Sequence, residues 1–122
     1  MTEKKIFDIK ERTFDFGLRI VKLVMLFPKN TAGFKIGEQL LRAGTSVGAN
    51  VEEADDAHSK KDFVYKMGIS RREARESGYW LRIVLRTEII IEQKIKDEAE
   101  ALLKESVELR NILSAILSKA NN

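Results

Sequence analysis

Three sets of residues in this 122-residue chain have side chains and spacings that could do chemistry. Glu52, Asp55 and His58 follow one another at three-residue steps, the spacing that brings carboxylate and imidazole ligands to one helix face. A di-iron bundle, however, needs Glu-x-x-His on two helices and two further glutamates. The chain has one histidine, so it cannot build that centre alone, and His58 beside Ser59 reads as an ordinary helix-end residue. Glu73 and Glu76 are spaced for acid/base work, but among so many arginines they read as ion-pair partners. The third set is basic: Lys60, Lys61, Lys66, Arg71, Arg72, Arg75, Arg82 and Arg86 stand against only Asp62, Glu73 and Glu76 in the same segment.

The third set is ordered. At 100° per residue on a helix, Lys60, Lys61, Arg71, Arg72, Arg75, Arg82 and Arg86 fall within an arc of roughly 120°. Lys66 lies apart, among the acids. Cations along a rigid rod can track phosphates and release counterions, and Tyr79, on the same side, can stack on a base. These eight residues, Lys60, Lys61, Arg71, Arg72, Arg75, Tyr79, Arg82 and Arg86, are the nucleic-acid-binding candidates, for RNA or DNA. The competing expectation is a structural or protein–protein interaction module with the arginines in ion pairs, within the chain to acids such as Glu52, Glu53, Asp55 and Asp56, or between subunits. A neighbouring sector holds Tyr65, Ile69, Trp80 and Ile83 with Asp62, Glu73 and Glu76. That mixture of aromatics and charges suits a subunit interface and equally a buried contact within one chain.

Other chemistry is not expected. The chain has no cysteine, which removes disulfides, thiol nucleophiles and Cys-based zinc sites. No P-loop, Rossmann glycine pattern or nucleophile elbow occurs. The reading is therefore non-enzymatic, with no catalytic residue, metal or cofactor. The start, MTEKKIFDIKERTF, is too charged for a signal peptide. The longest apolar run, Leu18 to Phe27, is broken by Arg19 and Lys22 and falls short of the roughly 20 residues of a membrane span. A cytoplasmic protein that engages no membrane is expected. The net charge of +3 is mild, so only its concentration in one segment can mean anything.

Four helical segments must position these groups, at about 9–27, 31–57, 60–87 and 94–119 of a single domain spanning 1–122. In the first, Phe16, Ile20, Leu23 and Phe27 recur at helical spacing, and a second set, Phe14, Leu18, Val21 and Met25, runs beside them. A helix apolar on two stripes contacts more than one neighbour. Pro28 stops it, and Asn30 or Thr31 caps the next. The second segment repeats at Ile36, Leu40, Ala43, Val47, Asn50, Ala54 and Ala57, the 4-3 spacing of bundle seams, where a polar Asn50 can fix register. Gly37, Leu41, Gly44, Gly48 and Val51 run alongside. Each interior glycine costs about 1 kcal/mol against alanine, which close approach of another backbone would offset. Ser59 and Asp62 match a capping box for the third segment, whose core side is Phe63, Met67, Ser70, Ala74, Ser77, Leu81 and Leu85. The fourth repeats at Ile95, Ala99, Leu102, Ser106, Leu109, Leu113 and Ile116, after a link at 88–93 containing the β-branched run Ile89-Ile90-Ile91. The expected fold is all-α, an antiparallel up-and-down four-helix bundle. Its assembly or packing candidates are Gly44, Gly48, Asn50, Glu52, Glu53, Tyr65, Glu73, Glu76 and Trp80.

The block Ser46-Val47-Gly48-Ala49-Asn50-Val51-Glu52-Glu53-Ala54, with Ser59-Lys60-Lys61-Asp62-Phe63 and Lys66-Met67, resembles the bacterial four-helix-bundle proteins of the 23S rRNA intervening-sequence, or S23-like, family. Arg72-Glu73-Ala74-Arg75-Glu76-Ser77, Tyr79-Trp80-Leu81 and Glu108-Leu109 continue the likeness, which runs from about Phe16 to Leu117. The resemblance implies a small cytoplasmic bundle that assembles with itself into a ring, a homopentamer. It also implies kinship with the accessory protein of diversity-generating retroelements, a basic pentameric barrel that binds nucleic acid and a reverse transcriptase. The family's recurring residues would here be Asn50, Glu52, Glu53, Asp62, Glu76 and Trp80, and no enzymatic activity comes with them.

Overall fold

A computed structural model describes residues 3–121. Four helices make up almost all of them: α1 (Glu3–Val24), α2 (Thr31–Asp55), α3 (Lys60–Arg86) and α4 (Gln93–Ala120). The described residues contain no strand. Neighbouring helices run antiparallel. Lys10 meets Asp55, while the backbone of Thr13 meets Gly48 and the side chain of Ile20 meets Gly44, so numbers rise in α1 as they fall in α2. Lys66 with Glu53, Ser70 with Val47, and Glu73 with Arg42 show the same for α2 and α3. Arg12 with Glu105 and Arg19 with Glu98 close the circuit between α1 and α4. The backbones of α1 and α3 do not approach each other, so those two helices stand diagonally across the bundle.

The helix ends have local causes. Asn30, in an extended conformation, caps α2 by accepting from the Gly33 N–H at 2.8 Å, which selects it over Thr31. Ser59 caps α3 by accepting from Asp62 N–H at 3.0 Å. The reciprocal half of the capping box is not formed among the described residues; Asp62 is one methylene shorter than the glutamate of the full motif. Three boundaries differ from the periodicity. The first helix begins at Glu3 and not near Ile9, because a Lys/Glu-rich turn propagates well and carries Ile9 into the core. It ends at Val24 and not at Phe27: the chain tightens through Leu26 and Phe27 N–H bonds to the carbonyls three residues back, ahead of Pro28, which disfavours helix in the residue before it. The second helix stops at Asp55, so Ala57 lies in the corner and not on the seam. Between α3 and α4, Glu88 takes a left-handed φ of 53°, turning the chain so that Ile90 is buried.

Inside the bundle Phe16, Ile20, Leu40, Val47, Met67, Leu81, Leu102, Leu109 and Leu113 are fully buried. Two glycines let α1 and α2 touch. A Cβ on Gly44 would sit 2.7 Å from Ile20 Cγ2, and one on Gly48 would sit 3.1 Å from the Thr13 carbonyl oxygen. On the other flank of α2, Ser70 is small enough to be enclosed and donates its hydroxyl to the Val47 carbonyl at 2.7 Å. Asn50 departs from the seam reading. It is half-buried, and its amide donates to the Ser46 carbonyl of its own helix at 2.9 Å, so it makes no register-fixing bond across helices among the described residues. The second apolar stripe of α1 is only partly covered: Phe14, Leu18 and Met25 remain 55%, 45% and 76% exposed.

Candidate nucleic-acid interface

The third helix is polarised by its contacts. Toward α2 it turns its acids. The guanidinium of Arg42 forks across Glu73, at 2.9 Å, and Glu76, and Trp80 Nε1–H points at Glu76 Oε2 at 3.4 Å. Glu73 is buried and needs this partner, because an unpaired buried carboxylate would be costly. Lys66, the one basic residue of the helix outside the arc, pairs with Glu53 at 2.6 Å. That hydrogen bond, opposed by desolvation and helped by the charge of Glu53, holds the Lys66 ammonium above its ordinary value. Toward α4, a Cβ on Gly78 would meet Ser106 Oγ at 2.9 Å, so the backbones are close there as well.

What remains of α3 is the basic arc. All eight nucleic-acid candidates, Lys60, Lys61, Arg71, Arg72, Arg75, Tyr79, Arg82 and Arg86, are exposed. Arg72 is the single member with a carboxylate within 4.0 Å among the described residues, and that contact with Glu73 is at the limit itself. Lys60, Lys61, Arg71, Arg75, Arg82 and Arg86 form no ion pair among the described residues. The acids offered as their partners within the chain are differently engaged: Glu53 pairs with Lys66 and Asp55 with Lys10, while Glu52 and Asp56 make no ion pair among the described residues. Among the described residues, then, no ion pair beyond that Arg72 contact offsets the arc. The Arg82 guanidinium lies 5.8 Å from the centre of the Tyr79 ring, and Tyr79 meets Trp80 edge-on with centroids 5.1 Å apart.

The remaining candidates separate into packing and surface groups. Gly44, Gly48 and Glu73 are buried inside the chain; Glu76, Trp80 and Asn50 are half-buried; Glu52, Glu53 and Tyr65 are exposed. Tyr65 is 64% exposed, with the Lys66 ammonium 5.9 Å from its ring, whereas Trp80 packs against the core. Within the mixed sector, then, Trp80 makes the contact inside the chain and Tyr65 lies on the surface. No three His, Asp or Glu side chains converge as a metal site among the described residues, and His58 is exposed in the corner between α2 and α3.

One surface was only half visible in the sequence. Between α1 and α2 lies an open groove of about 560 Å³, walled by Phe14, Leu18 and Val21, floored by Gly17, Thr45, Gly48 and Ala49, and closed at one end by Glu52, Glu53 and Asp56. Periodicity finds the apolar stripe of α1; it cannot tell that no helix of the same chain covers it.

Residues 5–115 match the family described as 23S rRNA-intervening sequence protein. Among solved structures, the chain is similar to a protein of unknown function from the S23 ribosomal protein family of Bacteroides thetaiotaomicron. The two share 35% sequence identity and superpose with a TM-score of 0.82, over 93% of this chain and 98% of the other. No curated protein matches the chain.

Proposed function

The chain belongs to the 23S rRNA-intervening sequence protein family, and we propose that it is a non-enzymatic bundle that assembles with itself into a ring and binds RNA or DNA through the basic arc of α3. The observation that carries the binding half is the separation of charge on α3. Its acids Glu73 and Glu76 are tied to Arg42 of α2, while six exposed cations of the arc have no ion pair among the described residues. Uncompensated cations on a rigid helix attract a polyanion from solution. The assembly half is supported by the groove of α1 and α2. Exposed phenylalanine and leucine side chains lining one face are the kind of patch that another protein surface covers. A homopentamer is the state proposed, in a cytoplasmic setting. The described helices include none long and apolar enough to cross a membrane.

Glu52 and Asp56, at the acidic end of the groove and without an ion pair among the described residues, favour a second reading in which the arginines of one copy form ion pairs with the acids of the next. Size-exclusion chromatography with light scattering, with and without a structured rRNA fragment at low salt, tests both. The proposal predicts about 70 kDa for five chains of 13.9 kDa, and a heavier complex when RNA is added. A monomer that leaves the RNA unshifted would remove both halves of it. A ring that ignores RNA and dissociates in high salt would favour the ion-pair reading.

A further inference from the structure

The centre of the arc is more than a row of charges. Arg72, Arg75, Glu76, Tyr79 and Arg82 line a shallow depression of about 320 Å³, at the lower end of the roughly 300–1,000 Å³ typical of small-ligand sites. Tyr79 is its one aromatic lining residue, and it is 48% exposed. The ring is braced from below. It meets Trp80 edge-on at an interplanar angle of 79°, and Trp80 is half-buried against the core with its indole N–H aimed at Glu76. Arg75 stands one turn before Tyr79 and Arg82 about one turn after it, both exposed and without an ion pair among the described residues. At 5.8 Å from the ring centre the Arg82 guanidinium is near the roughly 6 Å limit of a cation–π contact, so it does not seal the ring from solvent.

A braced, half-exposed ring between free cations is the arrangement that holds a single-stranded nucleotide, with its base on the ring and its phosphates on the flanking arginines. Duplex bases are already stacked on one another and offer no free face to Tyr79, so a duplex can use only the cations. Building on the reading of the arc as a nucleic-acid surface, we infer that Tyr79 is a stacking platform for an unpaired base, with Arg75 and Arg82 taking the adjoining phosphates, and that the arc prefers single-stranded segments to duplex. Glu76 also lines the depression, its carboxylate held by Arg42 of α2. Stacking makes no use of the sugar hydroxyl, so the preference extends to RNA and DNA strands alike.

The test measures binding of fluorescently labelled unstructured single strands and of duplexes of equal length, as RNA and as DNA, to the full-length chain and to Tyr79→Ala and Tyr79→Phe. Loss of one aromatic–base stack corresponds to a loss on the order of 5- to 150-fold in affinity. Tyr79→Ala is expected to lose that much for single strands, to keep its duplex affinity, and to keep its salt dependence, while Tyr79→Phe behaves as the parent. Trp80 is the chain's one tryptophan, so its emission is expected to change on adding single strand and not on adding duplex. Equal affinity of the parent for both forms, or an unchanged single-strand affinity in Tyr79→Ala, overturns the platform and leaves the cationic reading intact. Equal losses for both forms in Tyr79→Ala overturn it too. A parent that binds neither form at low salt overturns the platform and the nucleic-acid reading together.

Discussion

Reversing the three central charges of the arc, as R71E/R75E/R82E, gives the proposed binding mode a number to meet. From Lys60 to Arg86 the helix advances 1.5 Å per residue, so the arc is about 39 Å long. Along that length a duplex carries a phosphate charge about every 1.7 Å, so the cations and not the phosphates limit the contacts. Six of those cations, Lys60, Lys61, Arg71, Arg75, Arg82 and Arg86, form no ion pair among the described residues and are free to release counterions. Each contact contributes about −0.7 to the slope of log affinity against log salt for a single strand, giving roughly −4 for the six together. A fourfold rise in salt then weakens binding about 300-fold for each copy engaged. The neutral triple variant R71Q/R75Q/R82Q halves the count, and its slope falls to roughly −2. In R71E/R75E/R82E three carboxylates cancel the three cations left, and the slope falls toward zero.

Anisotropy titrations of a labelled single strand from low to moderate salt read these slopes directly, with size-exclusion chromatography of each variant run beside them. The three positions are exposed and form no ion pair among the described residues, so each substitution is expected to change folding by no more than about 0.5 kcal/mol. Assembly should be unaltered. A slope that stays near its parental value in the triple reversal would refute the arc as the binding surface. Loss of the assembly in step with loss of binding would show instead that the arginines hold subunits together.

Two further outcomes test the bundle that carries the arc. A Cβ at Gly48 presses on backbone atoms of α1, 3.1 Å from the Thr13 carbonyl oxygen and 3.3 Å from Phe14 N, whereas one at Gly68 has nothing within 4 Å. Overpacking costs typically about 1–3 kcal/mol and the glycine-to-alanine propensity gain is about 1 kcal/mol. Urea melts should therefore show Gly48→Ala less stable and Gly68→Ala more stable than the parent; two shifts of the same sign would defeat the reasoning. The second outcome concerns Glu105, whose carboxyl is held below its ordinary value of 4.5, chiefly by the hydrogen bond from Arg12, against the opposing effect of desolvation. A depressed folded value stabilises the protein above the unfolded one and loses that stabilisation as pH falls through the folded one. Stability from this pair should decline below about pH 4.5, and thermal melts of Glu105→Gln should show a shallower acid-side decline.

The helices were legible because their core positions recur at helical spacing, and the caps at Asn30 and Ser59 because a small polar side chain stands where a periodic run begins. Their ends were less so. The extra turns of α1 before Ile9 come from residues that propagate helix without burying much, and periodicity is blind to them. Asn50 stood at a seam position by count, yet its amide satisfied the nearest carbonyl of its own helix, a choice that spacing does not encode. The basic arc could be drawn from angles alone. Whether it was neutralised could not, because the answer lies in Arg42, which takes Glu73 and Glu76 across 31 and 34 residues of chain. The groove escaped for a similar reason: a stripe is local, while the absence of a cover is a property of the whole bundle.

The diagonal placement of α1 and α3 bears on how a chain with a net charge of only +3 could hold the polyanion proposed for it. Small residues on the inner side of α3, Ser70, Ala74 and Ser77, are buried between α2 and α4, so the helix that carries the arc is enclosed and its backbone needs no ordering when a ligand arrives. The apolar stripe of α1 lies on the helix diagonally opposite, where covering it leaves α3 open. Self-association through the groove of α1 and α2 would then repeat the arc once per copy without using it up. A single arc of six cations is strongly weakened at moderate salt, but several arcs linked by assembly raise the effective concentration of the second and later contacts. On this argument the modest net charge is no obstacle, because acids that offset it, such as Glu11, Glu52, Asp55, Glu98 and Glu105, sit on the other three helices. Affinity would follow the number of arcs joined, and a variant that stays monomeric with its arc intact should bind with the salt slope of one arc alone.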